Sequence, residues 1–116
     1  LVDKVGTTEE NLKAAAAGEH EEWTSMYPEF AKVAREEGFT RIANLFEMVA
    51  KIEQEHDARY NLLLANIQED KVFKRNEKMI WMCSNCGHVY EGTEAPEICP
   101  VCAHPKAFFE IKANNY

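Results

Sequence analysis

Two sets of side chains have the types and spacing for metal chemistry. Cys83-x-x-Cys86 and Cys99-x-x-Cys102 form two paired-thiol turns with twelve residues between them, and they use all four cysteines of the chain. Two such turns can converge on one tetrahedral ion. Paired disulfides compete with this reading, but the cytoplasmic address expected below disfavours them. Tetrathiolate sites suit iron and zinc alike, so softness alone does not choose the metal. Gly87 supplies the positive φ that the end of such a turn needs, and Pro100 stiffens the second turn. His88 and His104 flank the turns, and with four thiols available neither is expected to be a ligand.

The second set is Glu53 with His56 and Glu19 with Glu22. Each pair has three-residue spacing, which puts two side chains on one helical face roughly sixty degrees apart. Around Glu53 and His56 the apolar series Ile42, Leu45, Phe46, Val49, Ile52, Tyr60, Leu63 and Ile67 recurs at helical steps, so both should point inward. An ionised carboxylate buried without a partner is costly, and three on core faces call for a cation. Glu-x-x-His joined by further inward glutamates is a ligand pattern of carboxylate-bridged di-iron or di-manganese sites in helical bundles. Tyr27, about a turn and a half beyond Glu22, either hydrogen-bonds a ligand carboxylate or packs as a plain aromatic. Glu21, Glu55, Asp57 and His20 lie off the stripes and are expected to be solvated.

Two helices must carry the second set. Residues 7–37 read as one helix, opened by Thr7 with Glu10 in capping-box spacing and closed by Gly38. Pro28 should bend it, and Gly18 should let a neighbouring helix approach. Thr40 can cap a second helix from Arg41 to about Ile67, and the short link forces an antiparallel hairpin. Residues 71–78 read as a polar connector. Residues 79–116 read as a few short strands, too few to bury a stable core without the cysteine staple. The expected class is α+β: a helical hairpin over 1–70 followed by a small β metal-binding domain over 79–116.

A chain of 116 residues with net charge -7 suits one or two small domains, and its scattered 13 Lys and Arg argue against a nucleic-acid partner. The basic run Lys71, Lys74, Arg75 and Lys78 reads as solvated surface. No apolar run reaches the roughly 18 residues that span a bilayer, and a cytoplasmic location with no membrane partner is the expectation.

The segments AGEHEEWTSMYPEFAKVAREEGF, IEQEH and CSNCGHVYEGTEAPEICPVCAHPKAFFE together resemble the second half of a rubrerythrin. That resemblance implies a ferritin-like four-helix bundle holding a non-haem di-iron site, fed with electrons by a mononuclear iron on four cysteines. It implies reduction of hydrogen peroxide to water. Glu19 would be a terminal iron ligand, Glu53 a bridging carboxylate and His56 an imidazole ligand. Glu22 would be the carboxylate exchanged for a histidine on reduction, with Tyr27 its hydrogen-bonding neighbour. Glu22, Glu53 and Tyr27 would thus be the catalytic residues. Cys83, Cys86, Cys99 and Cys102 would hold the rubredoxin-type iron.

The first two bundle helices of the family have no counterpart here, so the chain supplies half of a di-iron site. Two helices cannot cover their own apolar stripes, and an oligomer is expected. Either a second chain brings the missing half, or a second copy of this chain does so by two-fold symmetry. The first is favoured, because the family's halves are not identical and Leu1 is not a usual start. A redox donor protein is a further implied partner. The leading expectation is a peroxidase, active only with the missing half. The alternatives are a rubredoxin-type electron-transfer or iron-binding protein without fast peroxide turnover, and a zinc-ribbon binding module.

Overall fold

Thr7 starts the first helix as its spacing predicts: its hydroxyl accepts from the Glu10 N–H at 3.2 Å, and the Glu10 carboxylate accepts from the Thr7 N–H at 3.0 Å. Helix α1, Thr8–Glu21, runs into a π-helical segment, Glu22–Met26, and then into α2, Tyr27–Glu36. The computed structural model describes residues 5–116, so the expectation attached to Leu1 lies outside the described residues. Pro28 has no N–H, and its ring opposes an ordinary α-turn around the carbonyl four residues back. The wider turn ahead of it meets that constraint, with the Tyr27 N–H bonding to Glu22 O. The expected bend is thus a π segment, and helical backbone continues through it.

Gly38, at φ 87°, ends α2 in the left-handed conformation, where the absence of a Cβ removes the steric cost. The Phe39 N–H returns to Ala34 O at 2.8 Å and the Gly38 N–H to Arg35 O at 3.1 Å, closing the helix end. Helix α3, Thr40–Gln68, follows at once. Thr40 is its first residue and not its cap, because the Ala43 N–H already bonds to Phe39 O.

Ala16, Ala31, Ala34 and Ala43 are buried, and Ala43 is fully so. Gly18, expected to admit a neighbouring helix, is exposed, with open space where a Cβ would stand. The small-residue role falls to the alanines. Outside them the apolar stripe lies open: Ile42, Leu45, Ile52 and Leu63 are each 45–52% exposed. A stripe of that size is the face a bundle helix normally buries against others. No helix among the described residues is long and apolar enough to cross a membrane.

The chain divides into two compact units, Leu1–Ala65 and Asn66–Tyr116. The second holds a three-stranded antiparallel sheet in the order β2-β1-β3, with β1 at Lys74–Cys83, β2 at Val89–Glu94 and β3 at Phe109–Ile111. Most of the stretch 71–78 is therefore not a connector. Its polar residues form the outer part of β1, with an irregularity in register between Lys74 and Met79. Trp81, fully buried, faces Tyr90 on one side and Ile111 on the other, and its indole N–H donates to Gly92 O at 2.9 Å. Cys83, Ala95, Cys99 and Phe109 complete the buried cluster. Two of the five are metal-ligand types, so this core depends on its staple.

Candidate metal centres

The two cysteine turns have the same backbone design. The Cys83 N–H bonds to His88 O at 2.9 Å and the Gly87 N–H to Cys83 O at 2.8 Å. In the second turn the Cys99 N–H bonds to His104 O at 2.8 Å and the Ala103 N–H to Cys99 O at 2.9 Å. Gly87 (φ 85°) and Ala103 (φ 61°) occupy equivalent left-handed positions. The two histidines thus serve the turns through their carbonyls, and the His104 ring packs edge-on against Phe108.

An L-residue pays roughly 1–2 kcal/mol for the left-handed region, which glycine avoids. Gly87→Ala meets no steric neighbour and is expected to cost about 1 kcal/mol by that conformational term alone. Ala103→Gly relieves the same strain and is expected to cost nothing, the relief offsetting about 0.4–1 kcal/mol of added chain entropy. Denaturant midpoints of the two variants test this asymmetry, and equal losses would refute it.

The Sγ atoms of Cys83 and Cys102 are 3.7 Å apart and those of Cys86 and Cys99 3.6 Å, with all four within 4.8 Å of one another. A tetrahedral ion bound at about 2.3 Å by four sulfurs requires edges of about 3.8 Å. The cage therefore has the right size. The His104 N–H holds the Cys102 thiol down at about 5, desolvation opposing it. The His88 N–H pulls Cys86 down too, but desolvation and the hydrogen bonding of its S–H toward the other three sulfurs outweigh it and push Cys86 up to about 12. Four thiolates this close repel one another, and a cation removes the conflict.

In the helical unit, Glu19, Glu53 and His56 place ligand atoms within 4.8 Å of one another. His56 Nδ1 is 2.8 Å from Glu53 Oε2 and 3.6 Å from Glu19 Oε1. Glu19 Oε2 is buried with no hydrogen-bond partner. Burial, then the Glu53 carboxyl beside it, then the Glu22 charge raise the Glu19 pKa to about 7, with His56 pulling the other way. A carboxylate with such an orphaned oxygen, clustered with a second carboxylate and an imidazole, has the donor set for a hard or borderline metal ion.

Glu22 lies outside that cluster, at the first residue of the π segment and half-buried. Tyr27 is half-buried, with its ring centroid 6.0 Å from those of both Phe30 and Phe46. Glu21 and Glu55 are exposed.

Asp57 is not solvated. It is 8% exposed, and its carboxylate accepts from Trp23 Nε1 at 2.7 Å, His20 Nδ1 at 3.0 Å and Asn61 Nδ2 at 2.7 Å. The Trp23 bond, against the opposing effect of burial and together with His20 and Asn61, holds its pKa below the usual carboxylate range. His20 is engaged at Nδ1 although its side chain is 62% exposed. The sequence carries no pattern that pairs Asp57 with Trp23; an indole N–H needs an acceptor when buried, but which acceptor it meets is set by the hairpin's register.

A family model described as rubrerythrin matches residues 1–64, and one described as the rubrerythrin, rubredoxin-like domain matches residues 81–110. Rubrerythrin-1 of Clostridium acetobutylicum is 53% identical over 112 residues, covering 97% of this chain and 57% of its own length. Rubrerythrin of Porphyromonas gingivalis is 54% identical over 112 residues, covering 97% of this chain and 56% of its own length. A solved structure of partially reduced nigerythrin superposes with TM-score 0.55 at 30% identity, covering 96% of this chain and 52% of that one. The chain spans little more than half the length of the curated relatives it matches. With one unit carrying a carboxylate and histidine cluster on a helical hairpin and the other a tetrathiolate cage on a small sheet, the chain belongs to the rubrerythrin family, as an iron protein with a di-iron domain and a four-cysteine, rubredoxin-like iron domain.

Proposed function

We propose that the chain is part of a non-haem iron oxidoreductase that reduces hydrogen peroxide to water. The observation that carries this reading is the clustering of Glu19, Glu53 and His56, in which Glu19 keeps a buried oxygen with no hydrogen-bond partner. Bound iron supplies the electron exchange, two electrons and two protons converting each hydrogen peroxide into two water molecules.

The chain's own residues supply the setting. Glu19, Glu53 and His56 would hold the bundle iron, and Glu53 would be the carboxylate shared between metals. Glu22, at the start of the π segment, would be the exchangeable carboxylate of the site, with Tyr27 as its hydrogen-bonding neighbour. An α-helix fixes its side chains tightly, whereas a π segment marks a place where helix register is relaxed, as functional sites often require. Cys83, Cys86, Cys99 and Cys102 would hold the relay iron, and a four-sulfur cage of this kind would supply single-electron transfer with little rearrangement. Cys86 is exposed and Cys102 half-buried, which gives a redox donor protein an edge to approach. A second helical pair covers the open stripe of Ile42, Leu45, Ile52 and Leu63 and completes the ligand set, from another polypeptide segment or from a second copy of this chain.

Hydrogen peroxide added without oxygen to the reduced, iron-loaded assembly should disappear at two electrons per molecule, and a supplied reductant should sustain its loss. An assembly that passes electrons through the cysteine iron but leaves peroxide intact supports the electron-transfer alternative instead. That alternative has its own observation: the cysteine cage brings four ligand atoms together within this chain, while Glu19, Glu53 and His56 bring three.

A further inference from the structure

Asp57 is the buried charged group that the metal chemistry leaves without a task. Its three hydrogen bonds come from α1 (His20), from the π segment (Trp23) and from its own helix (Asn61). In sequence, His20 follows Glu19, Trp23 follows Glu22, and Asp57 follows His56 and lies one helical turn beyond Glu53. One carboxylate thus ties together the neighbours of all four glutamate and histidine candidates.

Elsewhere on the hairpin the polar tie is exposed: Arg35 of α2 donates to Asn44 Oδ1 at 3.2 Å and Glu47 Oε1 at 2.7 Å of α3, near the turn and open to solvent. Ala16, Ala31, Ala34 and Ala43 are the hairpin's other buried residues, and methyl contacts tolerate sliding and rotation of one helix over another. Hydrogen bonds to an ionised carboxylate are short, directional and stronger than neutral ones. Trp23 sits inside the π segment, where the helical register changes, so its 2.7 Å bond fixes the segment at the point where it is least constrained by its own backbone.

We propose that Asp57 is a positioning residue for the bundle metal site: by anchoring Trp23 and His20 to α3 it sets the rotation and axial register that bring Glu19 to Glu53 and His56. The inference rests on the reading of those three as metal ligands. Asp57 itself binds no metal. It acts through the backbone of the helical segments that carry the ligands, and its loss leaves every ligand in the sequence but shifts one helix against the other.

The test uses the assembled, iron-loaded protein with Asp57→Ala, Asp57→Asn and Trp23→Phe. The readouts are the absorption spectrum of the bundle iron and its rate of loss to a chelator, at a temperature where all variants remain folded. The red cysteine iron is the internal control. Asp57→Ala should lose bundle iron about tenfold faster, the lower end of the range for removing supporting interactions around a metal site, and should change its spectrum. Asp57→Asn, which keeps an acceptor oxygen of the same reach, should recover part of the retention. Trp23→Phe removes one donor while keeping an aromatic ring, and should fall between Ala and the unsubstituted protein. It also decides the matter if Asp57→Ala fails to fold.

A variant set with lowered melting temperatures but unchanged spectrum and iron retention would make Asp57 a plain structural tie and overturn the inference. Absence of bundle metal from the unsubstituted assembly would overturn the metal reading and this inference with it.

Discussion

Replacing Cys99 by serine is expected to abolish the red absorption of the tetrathiolate iron while leaving far-UV helical signal nearly intact. Cys99 is 1% exposed and belongs to the buried cluster around Trp81, so its sulfur is both ligand and core. A serine oxygen is a harder donor on a shorter bond and does not reach the same tetrahedral point. The loss extends beyond colour. In small domains metal binding is folding energy, on the order of 10 kcal/mol for structural tetrahedral sites, and the sheet unit has five buried residues to set against its loss. The environment of Trp81 should therefore loosen, seen as lost near-UV signal. Helices α1 to α3 lie mainly in the other compact unit and should stay folded. Bundle iron in the variant should still be oxidised once by peroxide but be re-reduced slowly under turnover. A serine variant that keeps its red colour, or a native protein whose cysteine cage holds zinc and is colourless, would sink the relay assignment.

What could be read from the sequence follows the range of the interactions involved. The capping box at Thr7 and Glu10, the left-handed Gly38 and the two cysteine turns are each set by residues within a few positions, and each is where local spacing puts it. Glu19, Glu53 and His56 were legible because helical periodicity carries information across a whole hairpin, and the structure brings their ligand atoms together. Asp57 was not. Its burial depends on donors 34 and 37 residues away, and a pattern that marks apolar residues as inward cannot register a carboxylate satisfied by an indole and an imidazole. Lys74–Lys78 was missed for a related reason: that part of the strand lies in a run of polar side chains, so no apolar alternation marks it. Ala103 hid its left-handed backbone because alanine rarely adopts it, and only the matched hydrogen bonds of the two turns expose the equivalence with Gly87. The π segment has no residue signature beyond Pro28, whose constraint admits a bend or a wider turn equally well.

Removing the carboxylate of Glu53 is expected to empty the bundle site while sparing the cysteine iron. Glu53 accepts the Nδ1 contact of His56 at 2.8 Å, and after burial its hydrogen bond, then its charge, are the reasons that Glu19 holds its proton up to about 7. The cluster is therefore mutually dependent. Without metal the two carboxyls and the imidazole moderate one another's charge, and with metal they share a cation. Glu53→Ala deletes the carboxylate common to both arrangements. It leaves Glu19 buried with an oxygen that already lacks a hydrogen-bond partner. Binuclear iron content should fall, and the loss of affinity should exceed the roughly 10- to 100-fold typical of removing a residue that merely supports a ligand. Peroxide turnover should fall with it, and red absorption should persist because that iron is held in the other unit. Glu55→Ala, at an exposed position two residues further along the same helix, should change neither quantity and controls for a general loss of charge. The measurement belongs to the assembly that contains the complementary ligands, with iron counted per assembled site and peroxide followed under a constant supply of reductant. Undiminished bundle iron together with undiminished turnover in Glu53→Ala would remove this carboxylate from the ligand set, and with it the catalytic role assigned to the hairpin, leaving the four cysteines as the functional centre of the chain.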